Sequence, residues 1–153
     1  MRRLILLFSH LAALGAGVAL GIYLLPILAA PVGPAPSELA QVERRYQGSF
    51  DRDRQDSDAL HWGEGAIWLD EHQVAFQGAM APGPAYRLYL SPQFVETEVD
   101  FLHLRDEMAY VGEIRSFDAF MLDLPQGVDP ADYGTAVIWC EAFDQFISSA
   151  RYQ

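Results

Sequence analysis

Tyr86-Arg-Leu-Tyr-Leu-Ser91 and Ala136-Val-Ile-Trp-Cys140 decide the fold. In the first, Tyr86, Leu88 and Leu90 alternate with Arg87 and Tyr89, the two-residue period of a half-buried strand. The second is apolar throughout, as expected of a central strand covered on both faces. Working outward, Gly65-Ala-Ile-Trp-Leu-Asp70 is a short apolar run, and Glu71-His72 reads as a turn. Val74 and Phe76 alternate with Gln73 and Gln77 until Gly78, which is expected to end the pattern. Phe120, Leu122 and Leu124 alternate with Met121 and Asp123, and Pro125 closes them. Short strands separated by turn signals predict an all-β domain, an antiparallel β-sandwich or barrel. The spacing of Phe143, Phe146 and Ile147 fits a helical turn or a last strand equally well.

The first thirty residues are a different material. Met1-Arg2-Arg3 precedes an uncharged run, of which Leu4–Leu25 alone would form a helix roughly 33 Å long. That matches a hydrocarbon core of about 30 Å, whereas a cleaved signal has an apolar region of about 7–15 residues. The reading is therefore a signal anchor in residues 1–30 that meets the lipid bilayer through residues 4–25. Cleavage near Leu28-Ala29-Ala30 is the alternative. Arg2 and Arg3 are expected to stay in the cytoplasm, which puts the C-terminal domain outside a single-pass cytoplasmic (inner) membrane protein. Gly17 and Gly21 have the spacing that lets two helices pack closely, so a homodimer through that face is a candidate. Pro31-Val-Gly-Pro-Ala-Pro36 reads as a stiff linker. Ser37 would cap a short helix from Glu38 to about Arg45. Residues 31–45 are thus linker, and 46–153 the β domain.

Charge and composition narrow the function. The chain of 153 residues has ten Arg and no Lys against 21 acids, a net charge of -11. Removing the charges of Arg2 and Arg3 leaves -13 for the remainder. A nucleic-acid surface needs clustered cations, so no nucleic-acid partner is expected. The one cysteine, Cys140, excludes an internal disulfide and any multi-cysteine metal site.

Cys140 has two readings, a buried small hydrophobe or a redox thiol. Glu141 follows it, and a carboxylate disfavours the thiolate. His61-Trp-Gly-Glu64 sets an imidazole and a carboxylate three residues apart, able to shuttle a proton or ligate a metal if both face one way. A structural or surface histidine is the plainer reading. His72 is expected to be solvated, and His103 packed or hydrogen-bonded. Asp51-Arg-Asp-Arg-Gln-Asp-Ser-Asp58 departs from a calcium loop, with Asp56 at position six and Trp62 at position twelve. It reads as a solvated acidic loop partly neutralised by Arg52 and Arg54, and no metal site is assigned.

Three segments carry a family resemblance. They are Gly83-Pro-Ala-Tyr-Arg-Leu-Tyr-Leu-Ser91, Gly112-Glu-Ile-Arg-Ser-Phe-Asp-Ala-Phe-Met-Leu-Asp-Leu-Pro125 and Val128-Asp-Pro-Ala-Asp-Tyr-Gly-Thr-Ala-Val-Ile-Trp-Cys-Glu-Ala-Phe143. Together they resemble the DM-thirteen domain, or electron-transfer DM domain, over roughly Tyr46 to Tyr152. The membrane anchor and Asp58-Ala-Leu-His-Trp62 are similar to bacterial single-domain members. The resemblance implies a β-rich extracytoplasmic domain whose shared cysteine acts in electron transfer, as a bare thiol or through haem. Carried onto this chain, that residue is Cys140, with Trp139 beside it as a candidate cofactor contact and His61 as a candidate helper. Ala85 stands where the animal-type pattern tends to have Asp. The expectation is a membrane-anchored redox module that exchanges electrons with an envelope partner. The alternatives are a non-catalytic binding or scaffold module and, less favoured, a hydroxylase-like enzyme with a metal at His61 and Cys140.

Overall fold

The computed structural model describes residues 1–153. Helix α1 (Arg2–Ala29) is long and apolar enough to cross a membrane, and none of its residues is buried by the rest of the chain. The short α2 (Pro36–Leu39) follows. The sequence predicts a longer helix capped by Ser37, but the cap position is Ala35, whose N–H donates to the Glu38 carboxylate at 2.7 Å. The helix stops early because the chain must then lie along a sheet. Leu39 and Val42 are buried against Trp68 and Ala75, and the Arg44 guanidinium stacks 4.1 Å over the Trp68 ring.

Eight strands follow: β1 (Tyr46–Phe50), β2 (Gly63–Leu69), β3 (Gln73–Met80), β4 (Tyr86–Ser91), β5 (Ala109–Ile114), β6 (Ala119–Asp123), β7 (Thr135–Cys140) and β8 (Gln145–Arg151). They form two antiparallel four-stranded sheets, ordered β1-β2-β3-β6 and β5-β4-β7-β8. The sheets bury their inner faces against each other in an all-β sandwich. Ile67, Leu69, Val74, Phe76 and Phe120 come from one side, and Leu88, Leu90, Ala136, Ile138, Cys140 and Ile147 from the other. Burying each large aliphatic or aromatic side chain here stabilises the fold by about 1.5–3 kcal/mol.

Three expectations need correction. Gly78 does not end β3, which runs on to Met80. Gly78 lies opposite Gly65 in the β2–β3 ladder, and a Cβ on Gly78 would fall 2.1 Å from the Glu64 carbonyl oxygen. It is thus a close-approach residue inside the strand rather than a terminator. Strand β4 is not half-buried, because Tyr89 on its outer face is 6% exposed. That face is covered by a helix the periodicity does not reveal, α3 (Glu98–Leu104), which seats Phe101 and Leu104 with Val95 on Tyr89, Val137, Trp139 and Phe146. Finally, His103 is exposed on α3 rather than packed. The undecided C-terminal segment is a strand, β8.

Candidate functional site

Cys140 is the last residue of β7, and its register partner in β4 is Tyr86. Residues along a strand alternate in direction, so Cys140 joins Ala136 and Ile138 in the inner core, while Val137 and Trp139 face α3. Trp139 stacks on Phe101 at 4.0 Å between centroids, within 8° of parallel. The two residues of the Trp-Cys pair therefore stand in separate cores and share no site.

The Cys140 side chain is 1% exposed, yet it forms one wall of a cavity of about 160 Å³ at the strand end. Leu60, His61, Gly83, Tyr86 and Phe143 line the same cavity. The fold thus brings together His61 and Cys140, which lie 79 positions apart in the chain. A larger open hollow of about 620 Å³ lies over the loop from Ser49 to Arg54 with Glu64 and Gly65. It contains no thiol or imidazole, so the smaller cavity is the better candidate for chemistry.

His61 is held by Asp58, whose carboxylate oxygens lie 2.9 and 3.0 Å from the imidazole Nδ1. Asp58 also accepts the N–H groups of Leu60 at 2.6 Å and His61 at 2.8 Å, an Asx turn that sets the ring's position. The His61 hydrogen bond, with these backbone donors, holds the Asp58 carboxyl below its ordinary range. Glu64, the expected partner of His61, is instead 3.8 Å from Arg52. Nowhere does the chain gather three His, Cys, Asp or Glu side chains able to hold a metal ion. The acidic loop is less solvated than expected. Arg54 donates to the Ser149 carbonyl, Ser57 to the Ile147 carbonyl, and the Asp56 carboxylate accepts the Glu98 N–H.

Burial pushes the Cys140 thiol up, and the Glu141 charge adds to the rise, while the N–H groups of Phe143, Ala142 and Ala85 pull the other way. Glu141 itself is compensated. Burial opposes its charge, but the Tyr89 hydroxyl and Arg105 outweigh burial and hold its carboxyl below the usual range. Arg105 Nη2 lies 3.0 and 2.9 Å from the two Glu141 oxygens, and Arg87 lies 3.8 Å away. Burial also raises the Tyr86 phenol far above its ordinary value, helped by Cys140 and Asp58. Tyr86 carries the backbone of Gly83 against its ring, where a Cβ would fall 2.3 Å from a ring carbon.

Sequence reasoning singled out Cys140 and His61 but missed Tyr86 and Asp58 as their company, and Arg105 as the partner of Glu141. The Asp58-x-x-His61 spacing is the signal that was available for one of these. Tyr86 and Arg105 join only through strand register and the packing of α3.

The fold defines the class of protein, a small all-β sandwich with its one cysteine at the end of a central strand. The Electron transfer DM13 family matches residues 54–152, and the chain belongs to that family. No curated protein and no solved structure matches the chain. Haem, which the resemblance allowed, does not fit the Cys140 cavity. Pockets for ligands of drug size run to about 300–1,000 Å³, and a porphyrin needs one of that class. The cavity beside this thiol is about 160 Å³.

Proposed function

We propose that this chain is a membrane-anchored, extracytoplasmic electron-transfer module whose redox group is the bare Cys140 thiol. The observation that carries the reading is one cavity holding the only thiol, an imidazole aligned by a carboxylate, and a buried tyrosine. A thiol reacts as its thiolate, and burial keeps Cys140 protonated. A proton acceptor in the same cavity is therefore required, and with Nδ1 bound to Asp58 the other ring nitrogen of His61 fills that role. The cavity of about 160 Å³ is small for an organic substrate, so the reading is a carrier that meets a redox partner in the envelope. Retention of α1 as the anchor belongs to the same proposal and rests on its length and the arginines before it.

Hydrogen peroxide is the probe. Attack of the sulfur on one oxygen breaks the O–O bond, leaves a sulfenic acid on Cys140 and releases water. With dimedone present, the full chain should gain one adduct at Cys140 by mass. His61→Ala should slow its formation by about tenfold or more without unfolding the domain. The binding-module alternative is favoured by the 1% exposure of Cys140. It stands if native Cys140 resists peroxide until denaturation and Cys140→Ser lowers only stability.

A further inference from the structure

The rim of the Cys140 cavity includes two residues of α1, Ile22 and Tyr23. A neighbouring hollow repeats the contact, with Val18, Gly21 and Leu25 of α1 facing Pro84 and Phe143 of the β domain. Helix geometry converts this into a depth. Twenty residues at 1.5 Å each span a hydrocarbon core of about 30 Å. Counted from Leu4, the first uncharged residue after Arg3, that distance ends at Tyr23. Ile22 and Tyr23 thus lie where hydrocarbon gives way to headgroups, a depth that suits a tyrosine. Whatever part of the β domain lies beside them is at the same level.

The rim has the surface chemistry for that level. Leu60 is 64% exposed and Phe143 54%, and Pro84 between them in the cavity wall is exposed as well. Of the nearby charges, Glu141 is paired with Arg105, while Asp58 is hydrogen-bonded to His61 and remains half exposed to solvent. Asp144, the next residue after Phe143, sits in the β7–β8 turn. The part beyond the anchor has a net charge of -13, which repels anionic lipid, so attraction to a bilayer must be apolar.

We propose that this rim rests on the leaflet at the C-terminal side of α1, with Leu60 and Phe143 in the lipid. The mouth of the Cys140 cavity then opens at the bilayer surface. The inference rests on α1 being retained as the anchor.

The test uses the full chain in phosphatidylcholine vesicles, with lipids brominated on the upper acyl chain as tryptophan quenchers. Leu60→Trp and Phe143→Trp place reporters on the rim, and Leu102→Trp places a control on α3, where Leu102 is 54% exposed. Far-UV circular dichroism shows that each variant is folded. Added tryptophans at positions 60 and 143 should be quenched at least about twofold more than the one at 102. Equal quenching at all three positions overturns the docking. Intact mass separates the two claims. A chain beginning near Pro31 overturns the retained anchor and the docking with it, whereas a full-length chain with an unquenched rim overturns the docking alone.

Discussion

Gly83 and Tyr86 show how far the site depends on single atoms. Tyr86 is 2% exposed and leans edge-on against Phe117, with ring centroids 6.0 Å apart. The Gly83 backbone closes over the same ring, so one added methyl must displace either the loop or the ring. Gly83→Ala is expected to cost about 1–3 kcal/mol in chemical denaturation. It should also move Tyr86 relative to Cys140, its register partner, and so change the rate of Cys140 oxidation. A stability loss with an unchanged rate would assign Gly83 to packing only.

Among the elements, β4 carries the sharpest contrast between neighbours. Leu88 is fully buried in the inner core, while Arg87 is partly exposed beside Glu141 and over the Tyr110 ring at 5.3 Å. Leu88→Ala should cost roughly 2–5 kcal/mol in urea unfolding. Arg87→Ala should cost no more than about 1 kcal/mol, the range of an exposed ion pair. Equal losses would mean that Arg87 does more than cover the surface. The alternation behind this contrast was legible in β4, β6 and the apolar run of β7. It was not legible in β5, and the reason is geometric. Leu88 pairs with Gly112 and Tyr89 with Tyr110, which leaves Val111 as an extra residue, so the two-residue period breaks between Val111 and Ile114. A second irregularity sets Ile138 opposite Ser148 and Trp139 opposite Phe146, with Ile147 unpaired. Phe146 and Ile147 therefore enter different cores, and their adjacency imitated helical spacing. Helix α3 is only seven residues long and has two buried anchors, too few to establish a period, although Thr97 with Asp100 is a readable cap at 3.0 Å. The site divides in the same way. Cys140 and His61 were visible as residue types, but their shared cavity depends on how β7 and the loop before β2 meet.

At the scale of the whole molecule, titration sets a window of stability. Cys140, Tyr86 and Tyr152 all have raised folded-state values, with burial as the first cause. Their contribution is complete below the ordinary values of 9.0 for the thiol and 10.0 for the phenols, and is lost as pH rises above them. Glu141, Asp118 and Asp58 are lowered, so their contribution is present above the ordinary carboxylate range and fades as pH falls through it. The Tm of the β domain should be highest between these limits and fall on both sides. Tyr86→Phe should flatten the alkaline limb, and an unchanged limb would show that another group governs it.

The short stretch between helix and sandwich has a further consequence once α1 stays in a bilayer. The chain is pinned again where Gly33 sits against the Ala119 carbonyl and Asp118, and a few residues later where Leu39 and Val42 complete a core. Only Ala30, Pro31 and Val32 are left as leash, a reach of about 10 Å at full extension. A domain on so short a leash does not search a volume. Under the proposed anchoring, a partner that is itself in the membrane would be met by lateral diffusion, at a rate set by its density per unit area of membrane rather than by a concentration in the surrounding fluid.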